Sequence, residues 1–445
     1  MRSPISCMKP VLAAVAACCL LAACDSITWF DEKTPVLPGK RISILAQEKA
    51  LQPDTGAGQQ TKIMLPPPEA NTDWPQAGGV SNHAMHHMVV HDHLHQAWST
   101  NVGDGSGARA KLLSQPIVAG GRIFTVDSKN TVTALRVTNG QKLWQKDLTP
   151  TDAEGASSGG IAYDSGRIFV STGFAQLVAL DARNGKVLWR QTLSGPIRGA
   201  PTVRAGRVVV ITVDDHTYCL AADDGQIQWT HQGTIEQAAL LAGNSAAIDG
   251  NIVLVPYSSG ELFALRIENG SVVWQDQVAN VSKSQGVATL SDITGRPIID
   301  RGKVYVMGHA DSLAAIDLRS GRRLWDRDIG GVQSPWIGGD YLFALTSDNE
   351  AIAIDTKNGR IMWVTQLQSW ENPEKKKDRI VWSGPVLASD RLIVGSSTGM
   401  LATLSPYTGA VLGQVETDTG ISVPPVVAGG SLYFYTDDAE VVAYR

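Results

Sequence analysis

From about residue 110 onward the chain repeats one pattern of apolar and polar positions: two alternating runs, a short turn, then an apolar pair and a tryptophan. The stretches "GRIFVSTGFAQLVALDARNG", "GRVVVITVDDHTYCLAADDG" and "GKVYVMGHADSLAAIDLRSG" carry it clearly. Alternation with period 2 predicts strands with one buried face each. The Asn-Gly, Asp-Gly and Ser-Gly pairs supply the positive φ angles of tight hairpin turns. Each turn leads into a closing strand: "NGQKLW" ends at Trp144, "NGKVLW" at Trp189, "DGQIQW" at Trp229, "NGSVVW" at Trp274, "SGRRLW" at Trp325 and "NGRIMW" at Trp363. A further copy, "TGAVLG", has Gly413 where the tryptophan is expected. The copies recur at intervals of roughly 40–50 residues, and that period with this strand content predicts propeller blades.

The two ends of the chain set the blade count. "PPVVAGGSLYFYTDDAEVVAYR" starts another copy but stops before its turn and tryptophan, while Trp98 in "HQAWSTNVG" precedes Trp144 by one period. The predicted fold is therefore all-β: an eight-bladed β-propeller of four-stranded antiparallel blades, its last blade closed by the N-terminal strand. Trp98, Trp144, Trp189, Trp229, Trp274, Trp325, Trp363 and Gly413 take equivalent positions in it. A large aromatic repeated on one strand of each blade can pack against the neighbouring blade while its indole N–H finds a backbone acceptor. These tryptophans are read as blade-packing residues.

Upstream of the repeat the pattern changes. Arg2 and Lys9 precede an apolar run from Val11 to Ala23, which has signal-peptide length and is too short to favour a spanning helix of about 20 residues. It ends in Leu21-Ala22-Ala23-Cys24, which looks like a bacterial lipobox. Residues 1–23 are thus expected to be a lipoprotein signal peptide, with Cys24 carrying the lipid, palmitate among its acyl chains. Several acyl chains anchor a protein firmly, since each buried CH₂ contributes roughly 0.8 kcal/mol. Residues 24–70 include the Pro-rich "TPVLPGK" and "MLPPPEANTDWPQAGG" and read as a flexible, lipid-anchored linker, with the propeller over 71–445. Cys7, Cys18 and Cys19 leave with the signal, so Cys219 remains as a buried structural thiol and no intramolecular disulfide is expected.

Composition narrows the chemistry. The 44 glycines and the 18% share of charged residues favour short strands and turns over helices. A formal net charge of −5 gives no reason to expect nucleic acid as a partner. No nucleophile elbow, P-loop, zincin helix or dinucleotide fingerprint is present. The segment "NHAMHHMVVHDHLHQAW" holds six of the nine histidines, His83, His86, His87, His91, His93 and His95, with Met85 and Met88 among them. On a strand, His91, His93 and His95 would share one face and could converge on zinc or copper. A periplasmic metal-binding propeller is therefore one alternative, weighed against a polar segment that covers a blade edge. The run "ENPEKKKDR" after Trp363 reads as a solvated loop.

"ALDARNGKVLW" and "AIDTKNGRIMW" carry the A-x-D-x-x-x-G-x-x-x-W core of the quinoprotein-type propeller repeat. Together with the lipobox and the eight-blade count, the chain resembles the BamB family of outer-membrane assembly lipoproteins. The resemblance implies a non-catalytic scaffold without cofactor. It would sit at the periplasmic face of the outer membrane and dock the barrel-assembly protein BamA through that protein's POTRA domains. The family's binding loops follow the third and fourth repeat tryptophans counted from Trp144, which places Leu240, Leu241 and Asp292 as partner-binding residues here. "ALLAGNSA" keeps Leu241, Gly243 and Ser245 of the first loop pattern, with Ala239 and Ala242 replacing its first Leu and its Arg. "LSDITG" keeps Leu290, Ser291 and Asp292 of the second, with Thr294 at its second acidic position. Asp25 after the lipidated Cys is the residue that holds lipoproteins at the inner membrane in enteric bacteria, so inner-membrane retention is the alternative placement. The rival from the same repeat is a quinone-cofactor dehydrogenase. Alcohol-oxidising members of that class stack the cofactor on a vicinal disulfide, and the only adjacent cysteines here are Cys18 and Cys19 in the signal.

Overall fold

A computed structural model describes residues 51–54, 62–107, 110–151, 157–197, 199–235, 245–278, 292–309 and 312–445. Residues 52–445 form one unit. Its strands assemble into eight four-stranded antiparallel sheets, each a consecutive meander except one. The exception joins Val426–Ala428, Ser431–Tyr435 and Glu440–Tyr444 to Gln96–Asn101, so the last blade takes its outer strand from the N-terminal side. The eight-bladed propeller and its closure by the N-terminal strand follow the sequence pattern. Counting from Ile117, blades 1 to 7 run to Glu416, and blade 8 is the composite one.

Each repeat tryptophan lies on the outer strand opposite a small residue of the third strand: Ala134 faces Trp144, Ala179 faces Trp189, Ala264 faces Trp274, Ala315 faces Trp325, Ala353 faces Trp363 and Ala443 faces Trp98. Cys219 takes the small position opposite Trp229 and is fully buried, which pushes its thiol up to about 12. Gly413 occupies the same register opposite Thr403.

The indole then reaches the next blade. Nε1 donates to the carbonyl three residues before that blade's turn glycine: Trp98 to Val137, Trp144 to Ala182, Trp189 to Ala222, Trp229 to Ile267, Trp274 to Leu318, Trp325 to Thr356 and Trp363 to Pro406, at 2.7–3.2 Å. The ring lies over the glycine itself. Gly225 has φ +75°, and a Cβ there would come within 2.6 Å of the Trp189 ring. Only glycine meets both demands. Between blades 7 and 8 this contact is missing. Blade 8 has no hairpin turn between its third and outer strands, because His95 and Arg445 pair through their backbones instead, at 2.9 and 3.0 Å. With Gly413 in place of an indole, Val411, Leu412 and Val415 stay exposed on the outer strand of blade 7.

The histidine-rich segment closes the ring from inside. The innermost strand of every blade has a free edge toward the axis, and unpaired backbone groups buried there would be costly. Residues 71–91 run around those edges. Gly429 of blade 8 donates to Asn71 O, Trp74 exchanges two bonds with Val118 of blade 1, and Tyr163 of blade 2 donates to Pro75 O. Val203 of blade 3 donates to Gln76 Oε1, Ile248 of blade 4 to Ser81 O, and Ile299 of blade 5 to Asn82 O. Trp336 of blade 6 reaches His86 O, Met88 pairs with Leu387 and Ser389 of blade 7, and His91 returns to Gly430 of blade 8. One segment touches all eight blades. Residues just before it join the same structure: Ile63 is buried, and Glu69 pairs with His87 and Val89.

Within this strap the histidines are staples. His83 and His86 adopt positive φ. His83 Nδ1 donates to Pro297 O at 2.7 Å; His87 Nδ1 donates to Pro66 O, and its Nε2 accepts from Asp390 N. His91, His93 and His95 precede the Gln96–Asn101 strand instead of lying on one, so they do not share a face as their spacing suggests. Met88 is buried in the core and Met85 packs on it. Among the described residues no group of three His, Cys, Asp or Glu could hold a metal ion. "ENPEKKKDR" is also more than a loop, since Trp370–Asn372 and Lys377–Arg379 pair as an exposed hairpin with Arg379 stacked over Trp370.

Two outcomes test this account. Trp189→Ala removes an inter-blade indole and should cost about 3–5 kcal/mol in urea denaturation, as large core truncations do. Burial drives the His83 imidazole down from 6.5 to about 3, the Arg296 guanidinium adding to the shift and the Pro297 carbonyl opposing it. Between those values the unfolded chain binds a proton that the folded chain refuses. Stability from this group is therefore complete above pH 6.5 and falls by up to about 1.4 kcal/mol per unit as the pH drops toward 3. Asn tolerates positive φ and can still donate to Pro297, so His83→Asn should flatten the decline between about pH 6.5 and 4.5, measured by urea denaturation across that range.

Candidate functional site

In a four-stranded meander the turns alternate between the two faces of the ring. The face holding the first and third turns of each blade also carries the strap. The opposite face carries the second turns and the loops that connect one blade to the next, and the resemblance puts the binding residues there.

Leu240 and Leu241, with the rest of 236–244, lie outside the described residues, as do 279–291 and Cys24. The bases of both loops are described and firmly tied. Entering the first loop, Thr234 donates its backbone N–H and its hydroxyl to the Glu261 carboxylate, at 2.9 and 3.1 Å. Leaving it, the buried Ser245 hydroxyl donates to Ala200 O. Entering the second loop, Val278 N–H donates to Gly260 O; leaving it, Thr294 Oγ1 donates to Val332 O. Asp292 is only 3% exposed, and its carbonyl accepts from His309 N. The structure therefore places Asp292 inside the loop base, while Ser245 and Thr294 are spent on the same scaffold. The two loops flank blade 4, since Thr234 and Ser245 bracket the step from blade 3 and Val278 and Asp292 the step to blade 5.

Beside them this face exposes apolar side chains that sequence patterning does not mark. Val213, in the second turn of blade 3, extends the apolar run "VVVITV" and reads there as one more strand residue, yet it faces solvent. Ile235 stands 57% exposed at the mouth of the first loop. Gly233 N donates to Asp215 O, which fastens this loop to the turn that carries Val213. Farther round, Val381 is exposed at the rim of a cleft of about 260 Å³ between His309, Thr346–Asn349 and Arg379–Trp382. His309 Nδ1 and Ser347 Oγ line the cleft and have no protein hydrogen-bond partner. The site thus combines rigid loop bases, exposed aliphatic side chains and a polar cleft. That set suits contact with another macromolecule better than bond chemistry.

On the axis, by contrast, there is little room. The strap fills it with Trp74, stacked on Trp336 with ring centroids 6.0 Å apart, and leaves a cavity of about 20 Å³.

Comparison with known proteins agrees with this layout. The family model described as outer membrane protein assembly factor BamB matches residues 95–158 and 138–365. The outer membrane protein assembly factor BamB of Yersinia pestis is 27% identical over 356 residues, covering 78% of this chain and 88% of that protein. Among solved structures, BamB from Moraxella catarrhalis matches with a TM-score of 0.68 at 18% identity, over 79% of this chain and 100% of that one. A europium-containing methanol dehydrogenase matches with a TM-score of 0.67 at 16% identity, over 82% of this chain and 90% of that one. At such identities the two structures speak for the propeller alone. Among the described residues the axial cavity of about 20 Å³ is too small for the quinone group expected of a dehydrogenase on this repeat. Ligand pockets typically run to about 300–1,000 Å³, and Cys219, the one cysteine among the described residues, is buried inside blade 3. By the reach of the family model, and with a fold to match, the chain belongs to the family of the outer membrane protein assembly factor BamB.

Proposed function

We propose that the protein is a non-catalytic scaffold lipoprotein of the β-barrel assembly machinery, held at the periplasmic face of the outer membrane by lipid on Cys24. It docks a BamA-type partner through the POTRA domains. Membership of the BamB family carries this reading most directly. The loop face supports it. The described residues on either side of 236–244 and 279–291 are pinned through Thr234, Ser245, Val278 and Thr294, so the ends of both segments offer a partner fixed attachment points. Leu240 and Leu241 supply apolar anchors, and the described residues of this face add exposed Ile235 and Val213. Asp292 contributes by holding the second loop base from within, in keeping with its burial. The tight axis supports a scaffold over a quinone enzyme. Asp54 joins the ring at Ile361 beside the third turn of blade 6, on the strap face.

The test is a pull-down of purified full-length protein against the periplasmic POTRA domains of the barrel-assembly protein from the same organism. The wild type should recover the partner. The Leu240→Ala/Leu241→Ala double variant should weaken binding by about tenfold or more, the scale of losing buried aliphatic anchors. Asp292→Ala should weaken it less and lower the thermal midpoint as well. No recovery by the wild type would sink the docking role, and labelling by radioactive palmitate that survives Cys24→Ala would remove the anchor assignment.

A further inference from the structure

Arg296 stands two residues before the innermost strand of blade 5, beside His83 of the strap, and lines the axial cavity together with Trp74. Its side chain is half-buried, and no carboxylate pairs with it among the described residues. Its side-chain hydrogen bond is a long one, from Nη2 to Gln115 Oε1 at 3.4 Å. Its Nε is sealed from solvent and donates to no protein acceptor. Burial draws the guanidinium down to about 10, which still leaves it charged at neutral pH.

The same cavity of about 20 Å³ is lined by Trp74, whose Nε1 is also buried and donates to no protein acceptor. That sets Trp74 apart from the seven inter-blade tryptophans, every one of which reaches a carbonyl. Several of the other polar groups around the cavity are engaged. Gln115 accepts from Gly78 N and donates to Pro424 O, and His83 Nδ1 is committed to Pro297. What stands out are two buried donors without a partner, Arg296 Nε and Trp74 Nε1, and a guanidinium charge with no carboxylate beside it among the described residues.

We propose that this axial cavity binds one halide-sized monovalent anion, chloride in a natural medium, held between Arg296 Nε–H and Trp74 Nε1–H. The volume accommodates about one water-sized particle and excludes sulfate, phosphate and carboxylates. A water molecule could accept both hydrogen bonds but would bring no counter-charge to the partly desolvated guanidinium, which an anion supplies. The ion would tie the strap at blade 1 to blade 5, on opposite sides of the ring. Because Arg296 keeps part of its surface in contact with solvent, the ion has a way in.

The full-length protein is unfolded thermally in sodium gluconate, with chloride replacing gluconate at constant ionic strength. Chloride should raise the midpoint with a saturable dose dependence, since a ligand specific to the folded state stabilises by mass action. Bromide should replace chloride, and sulfate should not. In bromide-grown crystals an anomalous peak should touch Arg296 Nε and Trp74 Nε1. Trp74→Phe keeps the stack on Trp336 while deleting one donor, so about tenfold more chloride should be needed for the same effect. Arg296→Met should abolish the dependence; should that variant fail to fold, Trp74→Phe and the bromide peak carry the test. Superimposable chloride and gluconate curves for the wild type, a chloride response unchanged in Trp74→Phe, or bromide-grown crystals with only water in the cavity would each overturn the assignment.

Discussion

The contact on which the ring depends is the indole of one blade lying over the turn glycine of the next. It demands two things at once: a left-handed backbone at the turn, and no side chain between backbone and ring. The seven glycines under indoles have φ between 69° and 75°. Each indole adds a hydrogen bond to a carbonyl three residues upstream, so apolar burial and polar satisfaction come from one side chain. The small residue across the ladder completes the arrangement, because a bulky neighbour there would compete with the ring for the same space. Cys219 fits this logic as a substitute for alanine, and its burial, which raises the thiol to about 12, disfavours the reactive thiolate.

At the eighth interface the same logic explains a departure. Blade 8 takes strands from both ends of the described chain, so it has no turn to present to an indole. Gly413 stands where the indole would lack its platform, and within blade 8 the backbone pairing of His95 with Arg445 takes the place of the missing turn. The strap adds a second closure that does not depend on any one blade. Its bonds reach every innermost strand in turn, so opening the ring at the composite blade would break the strap's contacts there as well.

The tryptophan register, the turn glycines and the split repeat at the two ends made the architecture and the blade count legible, because those constraints repeat and repetition is visible in one sequence. The strap was not legible. It binds mainly through backbone groups, follows curved inner edges and has no period, so its histidines looked like free ligands when His83 and His87 were in fact committed to the carbonyls of Pro297 and Pro66. Val213 was hidden for the opposite reason: its apolar character continues a strand pattern that the chain leaves two residues earlier. The loop residues could be located by their distance from Trp229 and Trp274. Asp292, however, carries no sequence mark that separates a carboxylate facing a partner from one holding a loop base.

A propeller built this way divides labour between its faces. The strap commits one side and the axis to stability, since Trp74 and the inner-edge bonds leave little space where related folds could place a large group. The opposite side bears none of that duty. The described residues at both ends of 236–244 and 279–291 are held by hydrogen bonds to neighbouring segments, so the residues between these anchors can change without disturbing the indole contacts or the strap. Thr294, at the position where the family pattern has an acidic residue, is itself one of those anchors, whereas Ala242, where the pattern has Arg, lies in sequence between them, so a change there can alter what is recognised without loosening the ring.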